Sequence, residues 1–78
     1  MVTMIKEHDP IVLKTDVPAE GLRAGDVGTV VHIYNDRGAY EVEFVTLDGR
    51  TAAVVTLEAN HVRPFNPREI PHARELAA

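Results

Sequence analysis

One stretch of the chain decides the fold: residues 39–57 have the sequence AYEVEFVTLDGRTAAVVTL. Apolar and polar residues alternate on both sides of Asp48-Gly49, a dipeptide typical of a two-residue type I′ hairpin turn. Such a turn places three apolar pairs opposite each other: Tyr40 with Leu57, Val42 with Val55, and Phe44 with Ala53. The stretch therefore predicts an antiparallel hairpin with one apolar face.

A second predicted turn tests the same register from the other side. Asn35-Asp36-Arg37-Gly38 predicts a four-residue turn, with Gly38 suited to a positive φ. Both turns place the same apolar set on one face: Val31, Ile33, Tyr40, Val42, Phe44, Ala53, Val55 and Leu57. A slip of one residue would turn Glu41 and Glu43 inward, at a cost of several kcal/mol for each unpaired buried charge.

Turn residues recur along the chain about every ten residues, which is typical of a small all-β domain. We predict five strands, at Pro10–Lys14, Asp26–Tyr34, Ala39–Leu47, Arg50–Leu57 and His61–Phe65, with a single helical turn at Glu58–Asn60. In the long connection between the first two strands, Val17 and Leu22 are expected to pack beneath the loop. Residues 1–65 then form the β domain, and residues 66–78 form a tail.

The tail combines a helix-start signature with a helix breaker. Asn66-Pro67-Arg68-Glu69 has an N-cap residue, a proline at the first helical position and a glutamate at the third. Pro71 then interrupts any continuous helix. We predict a turn over Pro67–Glu69 followed by a short helix over Pro71–Leu76, with a frayed tail as the alternative.

Composition narrows the functional classes. The 78 residues, 45% of them hydrophobic, suit one compact domain rather than a disordered segment. The chain has no cysteine, which excludes a disulfide framework and a thiolate zinc site. The first residues are too charged for a secretory signal, and no apolar run is long enough to span a bilayer. We therefore expect a cytoplasmic location and no membrane partner.

The opposite face of the predicted sheet is the candidate functional surface. It carries Val30, His32, Tyr34, Glu41, Glu43, Val45, Ala52, Val54 and Thr56. A solvated face is normally more polar than this one. Two interpretations stay open: the valines are half covered in a strongly bent barrel, or they form an exposed apolar patch for self-association or partner docking.

Several motifs carry a family resemblance. The segment Asp26-Val27-Gly28-Thr29-Val30-Val31, after Gly25, resembles the glycine-containing entry strand of KOW-type and other SH3-like barrels. With Gly21-Leu22, Tyr40–Phe44 and Val55–Leu57, the pattern is similar to a domain family of unknown function in small bacterial proteins, and to the SH3-like barrel of nitrile hydratase β subunits. The resemblance implies an SH3-like barrel. Some members of that group are encoded beside another small protein, which implies an antitoxin-like or immunity-like role.

Nucleic-acid binding is the alternative function, because KOW-type barrels often contact RNA. The six arginines are scattered along the chain, and the net charge of −4 opposes binding to phosphates. Glu41 and Glu43 also occupy the central strand, where stacking residues would be needed. Binding of proline-rich peptides requires an aromatic groove, which two tyrosines, two phenylalanines and no tryptophan do not supply.

The sequence carries no catalytic or metal-binding pattern. None of the four histidines has the spacing of a ligand pair: they are His8, His32, His61 and His72. We interpret His32 beside Glu41 as a surface pair rather than a catalytic dyad. Phosphate-binding loops and nucleophile motifs are absent. We therefore predict no enzymatic activity, no cofactor and no metal.

Together these observations predict an all-β protein, a small five-stranded SH3-like barrel with a short C-terminal turn or helix. The predicted function is that of a non-catalytic protein-interaction module. Its expected partner is a second copy of the chain, with the product of a neighbouring gene as a variant. The candidate interface residues are Val30, His32, Tyr34, Glu41, Glu43, Val45, Val54, Ile70 and Leu76.

Overall fold

A computed structural model describes residues 4–76 and shows one five-stranded antiparallel sheet. The strands are β1 (Pro10–Leu13), β2 (Val27–Ile33), β3 (Ala39–Val45), β4 (Thr51–Glu58) and β5 (Val62–Pro64). Two single 3₁₀ turns, Pro18–Glu20 and Ala59–His61, complete the regular structure of the described residues. The all-β prediction and its five strands are confirmed, with strand ends that differ by at most two residues.

The strand order in the sheet is β4-β3-β2-β1-β5. Strands β2, β3 and β4 follow one another as a meander, and β5 returns to pair with β1. Strands β4 and β5 are consequently the two edges, and no ladder joins them within residues 4–76. The closed barrel therefore stays a prediction.

The β3–β4 hairpin has the predicted register but a different turn. Thr46 and Arg50 flank a three-residue loop: the Thr46 N–H donates to the Arg50 carbonyl at 2.8 Å. Gly49 has φ 86°, whereas Asp48 keeps a negative φ, so the predicted type I′ turn is wrong. An irregularity between Phe44 and Val45 takes up the extra loop residue. The ladder beyond it pairs Tyr40 with Leu57, Val42 with Val55 and Phe44 with Ala53, as predicted.

The β2–β3 ladder contains a bulge that the sequence did not reveal. It pairs Ile33 with Tyr40 and His32 with Glu41, but Val30 with Val42 and Thr29 with Glu43. The extra residue is Val31, which is 37% exposed, whereas Val30 is fully buried. The prediction that Val31 faces the core and Val30 faces outward is therefore wrong.

The turn between β2 and β3 also differs in one detail. Arg37, not Gly38, adopts the left-handed conformation, with φ 56°. The Arg37 guanidinium donates to the Ile5 carbonyl at 2.9 Å, and the Asp36 carboxylate accepts the Gly38 N–H at 2.8 Å. These two hydrogen bonds hold the turn in a conformation that arginine rarely adopts.

The core lies on one face of the sheet and extends beneath the loop after β1. Its buried residues are Ile5, Ile11, Leu13, Leu22, Val30, Tyr40, Val42, Phe44, Ala53, Leu57 and Val62. Val17 packs against this cluster and bridges to Leu22, which confirms that both pin the long loop. Glu41 and Glu43 remain partly exposed on the other face, so the predicted orientation of β3 is confirmed.

Gly28 of β2 lies close against core side chains of β3. A Cβ atom at this position would lie 2.6 Å from Val42 Cγ1 and 2.9 Å from Phe44 Cε1. Both side chains belong to the packed core and have little room to retreat. Any residue larger than glycine would therefore push the two strands apart.

We predict that Gly28→Ala destabilises the fold by about 1–3 kcal/mol, because overpacking forces core side chains and backbone to shift. Gly38→Ala is the matched control: its Cβ would meet only the Asp36 carboxylate of an exposed turn, at 3.1 Å, so the most it can lose is that carboxylate's hydrogen bond to the residue 38 N–H. Urea unfolding followed by circular dichroism measures both. Equal unfolding midpoints for the two variants would show that position 28 has room for a side chain, which would contradict this prediction.

Candidate functional site

The outer face of β2, β3 and β4 is the candidate site, and the structure assembles it from two cross-strand rows. One row joins Thr29, Glu43 and Val54. The other joins His32, Glu41 and Thr56, as predicted. Because of the bulge, Thr29 takes the place that the sequence had given to Val30. Val30 is thereby excluded from any interface on this face.

Hydroxyl groups hold the two glutamates of β3. Thr56 Oγ1 donates to Glu41 Oε1 at 2.5 Å, and the Tyr34 hydroxyl donates to the same oxygen at 3.4 Å. Thr51 Oγ1 donates to Glu43 Oε2 at 2.5 Å. The carboxylates are therefore fixed over β4, and the centre of the face is anionic.

His32 lies on the same face but does not form a dyad with Glu41. Its ring meets that of Tyr34 edge to face, with the centroids 4.8 Å apart. The carboxylate within ion-pair distance is that of Glu7, at 3.8 Å from Nδ1, and both side chains are about half exposed. The contact is thus one between two solvated surface groups.

Apolar side chains occupy the rest of the face. Val45 of β3 is 48% exposed and Val54 of β4 is 50% exposed, and Tyr34 is exposed beyond the end of β2. These values fit half-covered valines and an exposed apolar patch alike, so both interpretations of this face stay open. We call the two partly exposed valines, Val45 and Val54, the apolar patch. Tyr34 lies at the other end of the face, beyond the row of His32, Glu41 and Thr56.

The C-terminal tail begins with the predicted turn, closed by side chains. The Asn66 N–H donates to Glu69 Oε1 at 2.6 Å, and the Glu69 N–H donates to the Asn66 carbonyl at 2.8 Å. The Arg63 guanidinium binds the Glu69 carboxylate through two bonds, of 2.8 and 2.6 Å. Hydrogen bonds from Arg63, and then from the Asn66 N–H, lower the pKa of Glu69 to about 2.

The short helix predicted over Pro71–Leu76 is not formed. Proline lacks the N–H that would continue a helix started at Pro67, and the few residues that follow are too short to form a stable helix alone. Ile70 is 90% exposed and does not dock on the sheet, whereas Leu76 is 43% exposed beside the β3–β4 hairpin. The tail and the hairpin border an open groove of about 900 Å³.

A second ion pair, which the sequence did not predict, ties this tail to the sheet. Arg74 Nε and Nη2 donate to the two carboxylate oxygens of Asp26 at 2.9 and 2.6 Å, and Nη2 also donates to the Gly21 carbonyl. Asp26 further accepts the Arg23 N–H at 2.8 Å. Burial acts to raise the pKa of Asp26, but the bonds from Arg74 and Arg23 outweigh it and hold that pKa below 3.8.

Residues 4–76 contain no group of three or more histidine, aspartate or glutamate side chains arranged to hold a metal ion. Every buried side-chain nitrogen and oxygen in this part of the chain has a hydrogen-bond partner. No helix of the described chain is long and apolar enough to cross a membrane. The strongest chemical features of the site are thus an apolar patch, two fixed glutamates and a tethered tail.

We predict that Arg74→Ala lowers the urea midpoint of unfolding at pH 7 by several times the change that Arg68→Ala produces. Arg74 forms charge-assisted bonds to Asp26, with side chains that are only 23% and 18% exposed, whereas Arg68 is an exposed arginine of the same tail. Arg68→Ala should therefore change stability by less than about 0.5 kcal/mol.

The effect of Arg74→Ala should also depend on pH. Since the pKa of Asp26 is depressed on folding, its contribution is present above pH 3.8 and is lost as pH falls through the folded-state pKa. Urea unfolding of both variants at pH 7 and below pH 3.8 checks this. If Arg74→Ala lowers the unfolding midpoint as much below pH 3.8 as it does at pH 7, the predicted pH dependence is wrong.

Comparison with known proteins places the chain in a family without assigning a function. No curated protein and no solved structure matches it significantly. One family model, described as a domain of unknown function (DUF4926), matches residues 7–64, which is most of the chain and all five strands. The chain therefore belongs to the DUF4926 family of domains of unknown function.

Proposed function

We propose that this chain is a non-catalytic protein-interaction module that associates with a second copy of itself. The observation that carries the proposal is the exposure of Val45 and Val54 on adjacent strands of one face. Exposed apolar side chains on adjacent strands offer a surface that a partner can cover. Burying the exposed half of one valine contributes about 1 kcal/mol, so a symmetric contact that uses both copies gains several times that amount.

Two further features support a protein partner rather than RNA. Glu41 and Glu43 place two carboxylates at the centre of the face, where they would repel phosphates. Arg63 and Arg74 are already bound to carboxylates, and Arg37 is bound to a backbone carbonyl. Nucleic-acid binding remains the weaker alternative, and it predicts retardation of RNA at low salt that weakens steeply as salt rises.

The same proposal includes the barrel class of the fold, the source of the protein and its location in the cell. A meander of β2, β3 and β4, with β5 returning to β1, is the strand arrangement expected of an SH3-like barrel. We assign the chain to that class, to a bacterial source and to the cytoplasm. A partner encoded by a neighbouring gene, as for an antitoxin or immunity protein, is the variant in which another protein covers the same patch.

Self-association is tested by the solution mass. We predict that size-exclusion chromatography with light scattering at high protein concentration gives a mass approaching twice the 8.6 kDa of the monomer. Val54→Lys should return the mass to that of the monomer while leaving the circular dichroism spectrum unchanged, because the side chain is exposed and only the contact is lost.

Leu47→Lys is the matched control, since this exposed residue lies at the tip of the β3–β4 loop, outside the strands and their cross-strand rows. It should keep the mass of the unmodified chain. A wild-type protein that remains monomeric at all accessible concentrations would refute self-association. Formation of a stable complex with a neighbouring gene product by that monomer would favour the variant.

A further inference from the structure

Among residues 4–76, strand β4 presents an unpaired edge along its whole length. Its eight residues, Thr51–Glu58, pair with β3 on one side only. Within the described residues, no backbone hydrogen bond joins the other side of β4 to another element. Alternate N–H and C=O groups of the strand therefore point to solvent and can accept another strand.

The two edges of the sheet are treated differently. Strand β5 has three residues and ends in Pro64, which cannot donate to a ladder, so this edge is protected against pairing. Strand β4 is the longest in the sheet and contains neither proline nor lysine nor arginine. Its only protection is the irregularity opposite Phe44 and Val45, which leaves the stretch Ala53–Glu58 regular.

The chemistry of β4 suits a second copy of itself. Residues 51–57 are uncharged, in a chain with a net charge of −4. Two copies of this strand can therefore approach without placing like charges opposite each other, which β3 with its two glutamates could not do. An antiparallel contact between identical strands is also isologous, so it closes into a dimer and does not propagate into a fibre.

Side-chain direction restricts the register of such a pair. Side chains alternate between the two faces along a strand, and residues directly opposite each other must point to the same face. The two residues of each pair are therefore separated by an even number of positions in the sequence. The two-fold axis consequently passes through a residue and not between two residues. Within the regular stretch, an axis through Val55 gives five residue pairs and leaves Glu58 outside them. An axis through Thr56 would place Glu58 opposite Val54, and an axis through Val54 would extend the ladder into the irregular part of β4.

We infer that two copies of this protein pair through β4 in antiparallel register, with the two-fold axis at Val55, to form a continuous ten-stranded sheet. This inference rests on the proposed self-association and specifies its geometry. Val55, partly buried at the border of the core, meets its own counterpart. Ala53 meets Leu57 of the second copy on the core face, and Val54 meets Thr56 on the outer face.

The size of this contact sets its strength. Five residue pairs are far fewer than the roughly 20–30 residues that each partner contributes to a standard stable interface. The dimer is therefore weak and depends on protein concentration. Lysine in place of Val54 opposes it because long charged side chains protect an edge strand against pairing.

The absence of cysteine makes a crosslinking test direct. Val55→Cys, Val54→Cys and Val45→Cys are each incubated with oxidised glutathione, and the disulfide-linked dimer is measured on a non-reducing gel. Cysteines at the axis lie within the roughly 4.4–6.8 Å Cα–Cα separation of a disulfide, so Val55→Cys should crosslink at least about tenfold faster than Val45→Cys. This order is the reverse of what exposure alone would give, since Val45 is more exposed than Val55.

The three variants separate the possible outcomes. Fastest crosslinking of Val45→Cys in a protein that is dimeric by light scattering would overturn edge pairing but leave self-association standing. Fastest crosslinking of Val54→Cys would move the axis and overturn the inferred register. Crosslinking that is equally slow in all three variants, with a monomeric wild-type protein, would overturn both the inference and the proposed function.

Discussion

Alternate residues of β3 lie in opposite environments, and the remaining structure depends on this alternation. Val42 and Phe44 are buried in the core, whereas Glu41 and Glu43 lie on the outer face and accept hydroxyl hydrogen bonds. A shift of one residue would exchange the two sets and leave two carboxylates without water in the interior. The alternation therefore fixes the register of both neighbouring strands, because each must offer apolar groups to one face and polar groups to the other.

This constraint explains why the register could be predicted although the turn could not. The dipeptide Asp48-Gly49 suggested a two-residue turn, but the loop has three residues and a compensating irregularity follows at Val45. Local turn preferences differ from one another by small free energies, whereas burial of a glutamate costs several kcal/mol. The cost of burying a glutamate therefore decides the pairing of Phe44 with Ala53, and the turn adjusts to that pairing.

Other features could not be derived from the sequence, for two distinct reasons. Val30 and Val31 are adjacent, identical residues, so no pattern of apolar side chains shows which one faces the core; only the bulge, set by tertiary packing, decides it. The pairing of Arg74 with Asp26 spans 48 residues, and nothing local indicates it. By contrast, the Asn66-to-Glu69 signature was recognisable because its hydrogen bonds are local, even though Pro71 limits it to one turn.

The fixed glutamates also bear on how two copies could meet. Stacking of outer faces would bring two sheets to about 10 Å and remove water from four carboxylates, each already committed to a hydroxyl of its own chain. Pairing through β4 places the two β3 strands three strand spacings apart, about 14 Å, and leaves the face solvated. That separation exceeds the screening length of about 8 Å at physiological ionic strength, so the glutamates of the two copies repel each other only weakly. The same carboxylates that keep β3 in register therefore disfavour stacking of whole faces. They leave Val54, which lies on the edge strand itself, as the exposed apolar residue of the face that pairing through β4 can cover.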